Sequence, residues 1–427
     1  MVQKMRKMKA SGIEWIGEIP EGWEVSQLKY VTRWKSEKGC PDAPVLSLYR
    51  DFGVVPKDSR NDNHNVTSLD TSNYKVVDIG DLVINKMKAW QGSMAVSDYR
   101  GIVSPAYHVC SITSNKVNKR YLHHLLRNPA YLPEYARLST GMRIGQWDLG
   151  FDDFKNIPFL IPPLDEQAKI ADYLDNGCAS LDAMLSKTRS SIEEYKKLKQ
   201  AVITQAVTKG VRGERKMKDS GVEWIGEIPV HWKISRIKYV SIFEPSCDFR
   251  KLTPETIITY SPMECIKNGT FERRTSLYGN LAHTLTPFQN GDIVMAKVTP
   301  CFENGNIAIM NELQSGYGLG SSELFVFRPQ NINTRYLFYW LQNKLFVHQA
   351  CATMTGTGGL KRISPSFVKN CNIHCPSTAE QAQIADYLDA KCAEIDRLIA
   401  KKEQLVKELE GYKKSLIYEV VTGKREV

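Results

Sequence analysis

The 427-residue sequence contains no unbroken apolar stretch of eighteen residues, and its basic start, MVQKMRKMKA, runs into SGIEWIGEIP rather than an apolar signal core. A spanning helix or a secretory leader would need such a run, so a cytoplasmic protein with no membrane partner is expected. The ten cysteines lack paired spacings, which is the pattern of reduced thiols and not of a disulfide framework. Acidic charge is also short: 57 Lys and Arg against 47 Asp and Glu leave a net charge of +10. That excess favours polyanionic partners. Hydrophobic residues at 42% and charged residues at 24% are ordinary globular usage, which excludes long disorder and fibres.

Catalytic constellations are missing as well. Gly356-Thr357-Gly358-Gly359-Leu360-Lys361 has neither the spacing nor the following hydroxyl of a phosphate-gripping loop. Gly316-Tyr317-Gly318-Leu319-Gly320 is a glycine-rich turn, and Ile161-Pro162-Pro163-Leu164 lacks the amide or acid and the aromatic ring that adenine methyl transfer uses. Cys371, His374 and Cys375 have zinc-ligand side chains, but no second close pair completes a tetrahedral set. His123 and His124 stand in an expected helix without a Ser or Cys nucleophile motif. The expectation is a binding protein that holds no metal and no cofactor.

What is present is repetition. MKASGIEWIGEIP at residues 8–20 returns as MKDSGVEWIGEIP at residues 217–229, with 11 of 13 positions identical. EQAKIADYLD at residues 166–175 returns as EQAQIADYLD at residues 380–389, with 9 of 10 identical. Between these anchors GDLVINK at residues 80–86 corresponds to GDIVMAK at residues 291–297. A period above two hundred residues is too long for a solenoid, so each copy is a whole domain with a connecting element.

Each copy changes character partway. Short β-type runs punctuated by Gly, Asn, Asp and Pro come first. From residue 166 to 207 there is then no proline and one glycine, Gly177. Leu174, Cys178, Leu181, Leu185, Thr188, Ile192, Tyr195, Lys199, Val202 and Ala206 mark a heptad seam flawed at Thr188 and Lys199. Leu388, Cys392, Ile395, Ile399, Lys402, Val406, Leu409, Lys413, Leu416 and Val420 repeat it in phase. Two matching seams in one chain predict pairing, with each rod of some forty residues reaching about 60 Å. The expected fold is α+β: two pseudo-twofold-related mixed domains at residues 1–163 and 213–377, joined by long helices at 164–212 and 378–427 that form an antiparallel coiled coil.

Nucleic-acid recognition needs cations for phosphate and amide, guanidinium, hydroxyl or aromatic groups for base edges. Loops at equivalent places in both copies supply them: residues 85–92 and 140–147 in the first, residues 297–300 and 356–364 in the second. Arg50, Lys86, Lys88, Trp90, Gln91, Arg143, Gln146 and Trp147 are the candidate DNA-binding residues of the first domain, and Lys297, Thr299, Lys361, Arg362 and Ser364 those of the second. Trp90 and Trp147 suit a hydrophobic core equally well. Glu166, Gln167, Glu380 and Gln381 are candidate exposed docking positions for a partner, with helix capping as their structural alternative.

This layout resembles the specificity subunit of Type I restriction-modification systems. The resemblance is carried by Ile161-Pro162-Pro163-Leu164-Asp165-Glu166-Gln167 with Ile170-Ala171-Asp172-Tyr173-Leu174-Asp175, and by Glu380-Gln381 with Ile384-Ala385-Asp386-Tyr387-Leu388-Asp389. Residues 47–56, 85–92 and 104–107 also look like a recurring class of target-recognition domain in that family. The second copy departs from the pattern, with Cys375-Pro376-Ser377-Thr378 in place of Pro-Pro-Leu. The resemblance implies a subunit without an active site that reads a bipartite, asymmetric double-stranded DNA sequence. It further implies recruitment of two methyltransferase and two restriction/translocase subunits, which would bring S-adenosylmethionine, ATP and Mg, and helices that set the gap between half-sites. Two other readings remain open: a coiled-coil adaptor without specific DNA binding, and a self-sufficient DNA-modifying enzyme.

Overall fold

The computed structural model describes all residues except 1–5, 51, 60–66, 69, 144–145, 268, 283 and 357–358, and excludes the side chains of Met142, Arg143 and Gln146. Two compact units form, the first from residues 1–189 and 404–427 and the second from residues 190–403.

Each unit is built on a four-stranded antiparallel sheet of the same topology. In the first the spatial order is Thr32–Lys35, Tyr107–Ile112, Leu82–Asn85, Met94–Val96; in the second it is Ser241–Phe243, Leu324–Pro329, Ile293–Ala296, Ile307–Ile309. The repeated Gly-Asp-hydrophobic run is the third strand in space in both. Its side chains do not alternate between apolar and polar because both faces are covered. Leu82 and Ile84 enter one core and Val83 another, just as Ile293 and Met295 separate from Val294. The glycine before it has φ +89° at Gly80 and +87° at Gly291, a region costly for other residues. The aspartate after it closes the turn: Asp81 accepts the Asp78 amide and Asp292 the Gln289 amide, each at 2.9 Å. The units differ in what covers the outer face. The first uses the Leu46–Tyr49 and Gly53–Pro56 hairpin, the second a further four-stranded sheet that includes Ile257–Ser261 and Thr286–Gln289.

The first long helix is Leu164–Lys209 and the second Thr378–Val421. In the first unit the opening of the first helix runs beside the close of the second, so Leu174, Leu181, Leu416 and Val420 share one core. In the second unit Ile203, Ala206, Leu388 and Cys392 do the same with the roles exchanged. Pairing within each unit is therefore antiparallel. Lys199, a flaw in the seam, binds Asp396 at 2.7 Å, and its repeat equivalent Lys413 binds Asp182 at 2.6 Å. The lysine stem packs along the seam while its head stays with the acid.

The repeated anchors grip the helix starts. Gln167 Nε2 donates to the Pro162 and Lys116 carbonyls while its Oε1 accepts the Asn118 amide at 2.8 Å. Gln381 likewise donates to the Pro376 carbonyl and accepts the Asn333 amide at 2.7 Å. Glu166 accepts from Arg6 and Trp23, and Glu380 from Arg215, His231 and Trp232. This corrects the expectation that Gln167, Glu380 and Gln381 are exposed docking positions: their exposures are 0%, 3% and 3%. A buried amide or carboxylate must be satisfied internally, and Trp23 and Trp232, each eight residues past the tryptophan of a repeated Ser-Gly-x-Glu-Trp-Ile-Gly segment, supply the indole donors that do so. Glu166 keeps a side-chain exposure of 21% but is held by Arg6 in the same way.

Candidate nucleic-acid interface

In the first unit, Asn85 ends the central strand and its side chain accepts the Met87 amide, capping a tight helical turn over Lys86–Gln91. This turn meets the hairpin of Ser139–Arg143 and Gln146–Leu149. Two of the predicted loops therefore converge. Trp90 and Trp147 lie with ring centroids 5.1 Å apart, and Lys86 Nζ sits 2.9 Å from Asp148 Oδ2. Both tryptophans are half-buried, so they are neither core nor fully presented, and the Trp90 Nε1 is buried without a hydrogen-bond partner among the described residues. Lys88 is exposed and Gln91 half-buried on the same turn. The side chains of Arg143 and Gln146 lie outside the described residues. Arg50 is exposed in the turn of the separate hairpin, where its carbonyl accepts from Arg127.

Sequence reasoning missed the support beneath this surface. His108 Nε2 meets the Leu149 carbonyl at 3.1 Å, its ring packs 4.9 Å from Trp34, and Trp34 meets Phe151 at 4.3 Å. Lys75 lies 5.2 Å over the Trp34 ring. Burial pushes the His108 pKa down, against the Leu149 hydrogen bond, and nearby Lys75 and Lys86 push it the same way. None of these four residues belongs to a local motif; only strand register brings them together.

The second unit converges likewise. Ile363 N donates to the Lys297 carbonyl and Thr299 N to the Lys361 carbonyl, both at 2.9 Å, so residues 297–299 and 361–363 pair edge to edge. Lys297 Nζ stands 5.7 Å over Phe325, which occupies the place of His108. Lys361 is exposed. Arg362 makes a two-pronged pair with Glu323 at 2.7 and 2.8 Å, which raises the guanidinium pKa and lowers that of the carboxyl.

Two predicted readers have internal duties instead. Thr299 is 9% exposed, accepts the Lys361 amide at 2.9 Å and donates to the Gly359 carbonyl at 3.0 Å. It shapes the loop. Ser364 caps the helix Pro365–Asn370 by accepting the Phe367 amide. Both hydroxyls are spent on backbone. No group of three or more His, Cys, Asp or Glu converges as a metal site among the described residues, and none of their helices is long and apolar enough to cross a membrane.

A family model described as Type I restriction modification DNA specificity domain matches residues 20–194 and again residues 229–408. The chain is 32% identical over 163 residues to the Type I restriction enzyme EcoEI specificity subunit of Escherichia coli, covering 37% of this chain and 27% of that subunit. It is 34% identical over 163 residues to the EcoAI specificity subunit of the same organism, again over 37% of this chain and 27% of that subunit. The chain thus spans about a quarter of the length of these two relatives. The Type I restriction enzyme MjaVIII specificity subunit of Methanocaldococcus jannaschii is 24% identical over 430 residues, or 95% of this chain and 93% of that one. The fold is shared with a chain solved in work on complex assembly and conformational transition of the type I R-M system, at a TM-score of 0.69 and 15% identity over 95% of this chain and 99% of that one.

Proposed function

This chain belongs to the family of Type I restriction-modification DNA specificity proteins, and from that premise we propose that it reads an asymmetric, two-part double-stranded DNA site and is itself non-catalytic. The observation that carries the reading is the convergence of two loops at the end of the equivalent central strand in each unit, with unlike side chains. Lys86, Trp90 and Trp147 stand at one, and Lys297, Lys361 and Arg362 at the other. Equal frames with unequal readers suit two different half-sites.

The chemistry at the chosen address then belongs to other subunits. Two methyltransferase subunits and, for cleavage, two restriction/translocase subunits are the proposed partners, carrying S-adenosylmethionine, ATP and Mg. Tyr173 and Met184 are exposed on the part of the first long helix that belongs to the first unit, and their spacing of 11 residues keeps them on one face, which supports partner docking there.

The test is methylation-sensitive genome sequencing of a host with and without this chain, each supplied with the methyltransferase subunit. A two-part adenine-methylated motif that appears only with the chain is the expected result. Methylation at the same motif without it would refute the reading, and methyl transfer by the purified chain alone would refute the non-catalytic assignment.

A further inference from the structure

The two reading surfaces differ, yet beside each lies a small cluster that does not. Lys29-Tyr30 and Lys238-Tyr239 occupy equivalent positions in the repeats. Tyr30 is 68% exposed and Tyr239 66%, more than any other described large hydrophobic or aromatic side chain except Ile79. Such exposure would be a waste of two tyrosines if packing were their purpose. In both units the lysine ammonium lies over the neighbouring ring, at 5.1 Å for Lys29 and 5.2 Å for Lys238. In both it donates to an asparagine Oδ1: Asn156 at 3.0 Å and Asn370 at 2.8 Å. Each asparagine is aimed the same way, because its Nδ2 donates to the carbonyl four residues earlier, Asp152 at 2.8 Å and Ser366 at 2.9 Å.

Two features suit this cluster to an anion. Neither ammonium has a carboxylate within ion-pair distance among the described residues, so each keeps its charge uncompensated and two N–H donors open. The tyrosine hydroxyl beside it adds a further donor. Position supplies the second argument: a short helix runs from the end of each reading loop to the cluster, Phe151–Phe154 toward Asn156 and Pro365–Asn370 up to Asn370. Four and six helical residues span about 6 and 9 Å, which is roughly two to three nucleotide steps along the duplex axis at about 3.4 Å each.

Resting on the DNA-reading function proposed above, we infer that Lys29-Tyr30-Asn156 and Lys238-Tyr239-Asn370 are twin DNA-backbone contacts that grip phosphate in the same way whatever sequence the adjoining loops read. The identity of the two clusters beside diverged loops is what a sequence-independent ligand demands.

The experiment uses the full chain with its methyltransferase subunit and two duplexes, one carrying the methylated motif and one scrambled, titrated by fluorescence anisotropy between roughly 50 and 200 mM salt. Lys29→Gln with Lys238→Gln should flatten the slope of log affinity against log salt by about 0.9 per lysine, about 1.8 together. Both duplexes should weaken by the same factor, and the methylated motif should stay the same. Asn156→Asp with Asn370→Asp, which sets a carboxylate beside each retained ammonium, should flatten the slope in the same direction. An unchanged slope overturns the inference, as does a loss confined to the motif duplex. Loss of methyltransferase co-elution with the DNA slope intact overturns it in favour of a protein partner. If the wild type fails to prefer the motif duplex while the variants still flatten the slope, the sequence-reading function fails and the backbone contact stands.

Discussion

His374 offers a quantitative test of how the second unit grips the end of the first long helix. Its side chain is 1% exposed, enclosed by Trp232 and Trp340, with Nδ1 3.2 Å from the Val207 carbonyl and Nε2 buried without a partner among the described residues. Burial therefore holds the ring neutral, lowering its pKa to about 4 against the Val207 hydrogen bond. A histidine kept neutral in the fold stabilises it fully above the unfolded pKa of about 6.5. That stabilisation is lost as pH falls from 6.5 through 4. Between about pH 7.5 and pH 5 the linkage relation gives a loss of about 2 kcal/mol from this residue alone. In the first unit the equivalent strand position is Leu160, likewise buried, with Tyr121 Oη donating to its carbonyl as Tyr336 Oη does to that of His374. His374→Leu thus installs a side chain that the fold already accepts elsewhere. Chemical denaturation followed by tryptophan fluorescence at the two pH values should show the variant losing about 2 kcal/mol less than wild type on acidification. His123, whose pKa burial and Arg127 lower to about 3, contributes acid sensitivity in both proteins and cancels from the comparison. Equal acid losses in the two proteins would refute the argument.

Three further outcomes follow from the same geometry. Lys86→Ala should relax recognition in one half-site by about 1–3 kcal/mol and leave the other untouched; methylome sequencing that shows a change only in the half-site altered by Lys361→Ala would contradict the pairing of loops with half-sites. Glu380→Ala strands Arg215, which has a side-chain exposure of 14%, and should cost about 3–5 kcal/mol in denaturant unfolding, more than Glu166→Ala, where Arg6 is 28% exposed. Gly177→Ala places a Cβ 3.5 Å from Leu416 Cδ2, an ordinary contact, and should stabilise by about 0.5–1 kcal/mol; a lower melting temperature would show that the helix needs the glycine.

Much of the frame was legible because it is written twice. The two seams and the common strand at Asp81 and Asp292 follow from the repeated sequence pattern, and the antiparallel pairing within each unit follows from the order in which domains and helices succeed each other along the chain. The burial of Gln167 and Gln381 was not, since a polar residue on the first turn of a helix reads as exposed until the preceding loops are known to fold over it. For the reading surfaces, local composition located the loops but could not divide their residues into outward and inward groups. Thr299 and Ser364 carry the same hydroxyl chemistry whether they face DNA or backbone, and only the loop closure at Lys361 and the cap at Phe367 decide it. His108, Trp34, Lys75 and Asp148 come from four separate segments, so no spacing rule could have gathered them.

The hydrogen bonds of Gln167 and Gln381 run to the backbone of their own unit, so this clasp on each helix start draws on none of the exposed residues of the candidate reading loops. If the loops read two half-sites as proposed, either set can change its side chains while the clasp that seats the helix beside it stays as it is.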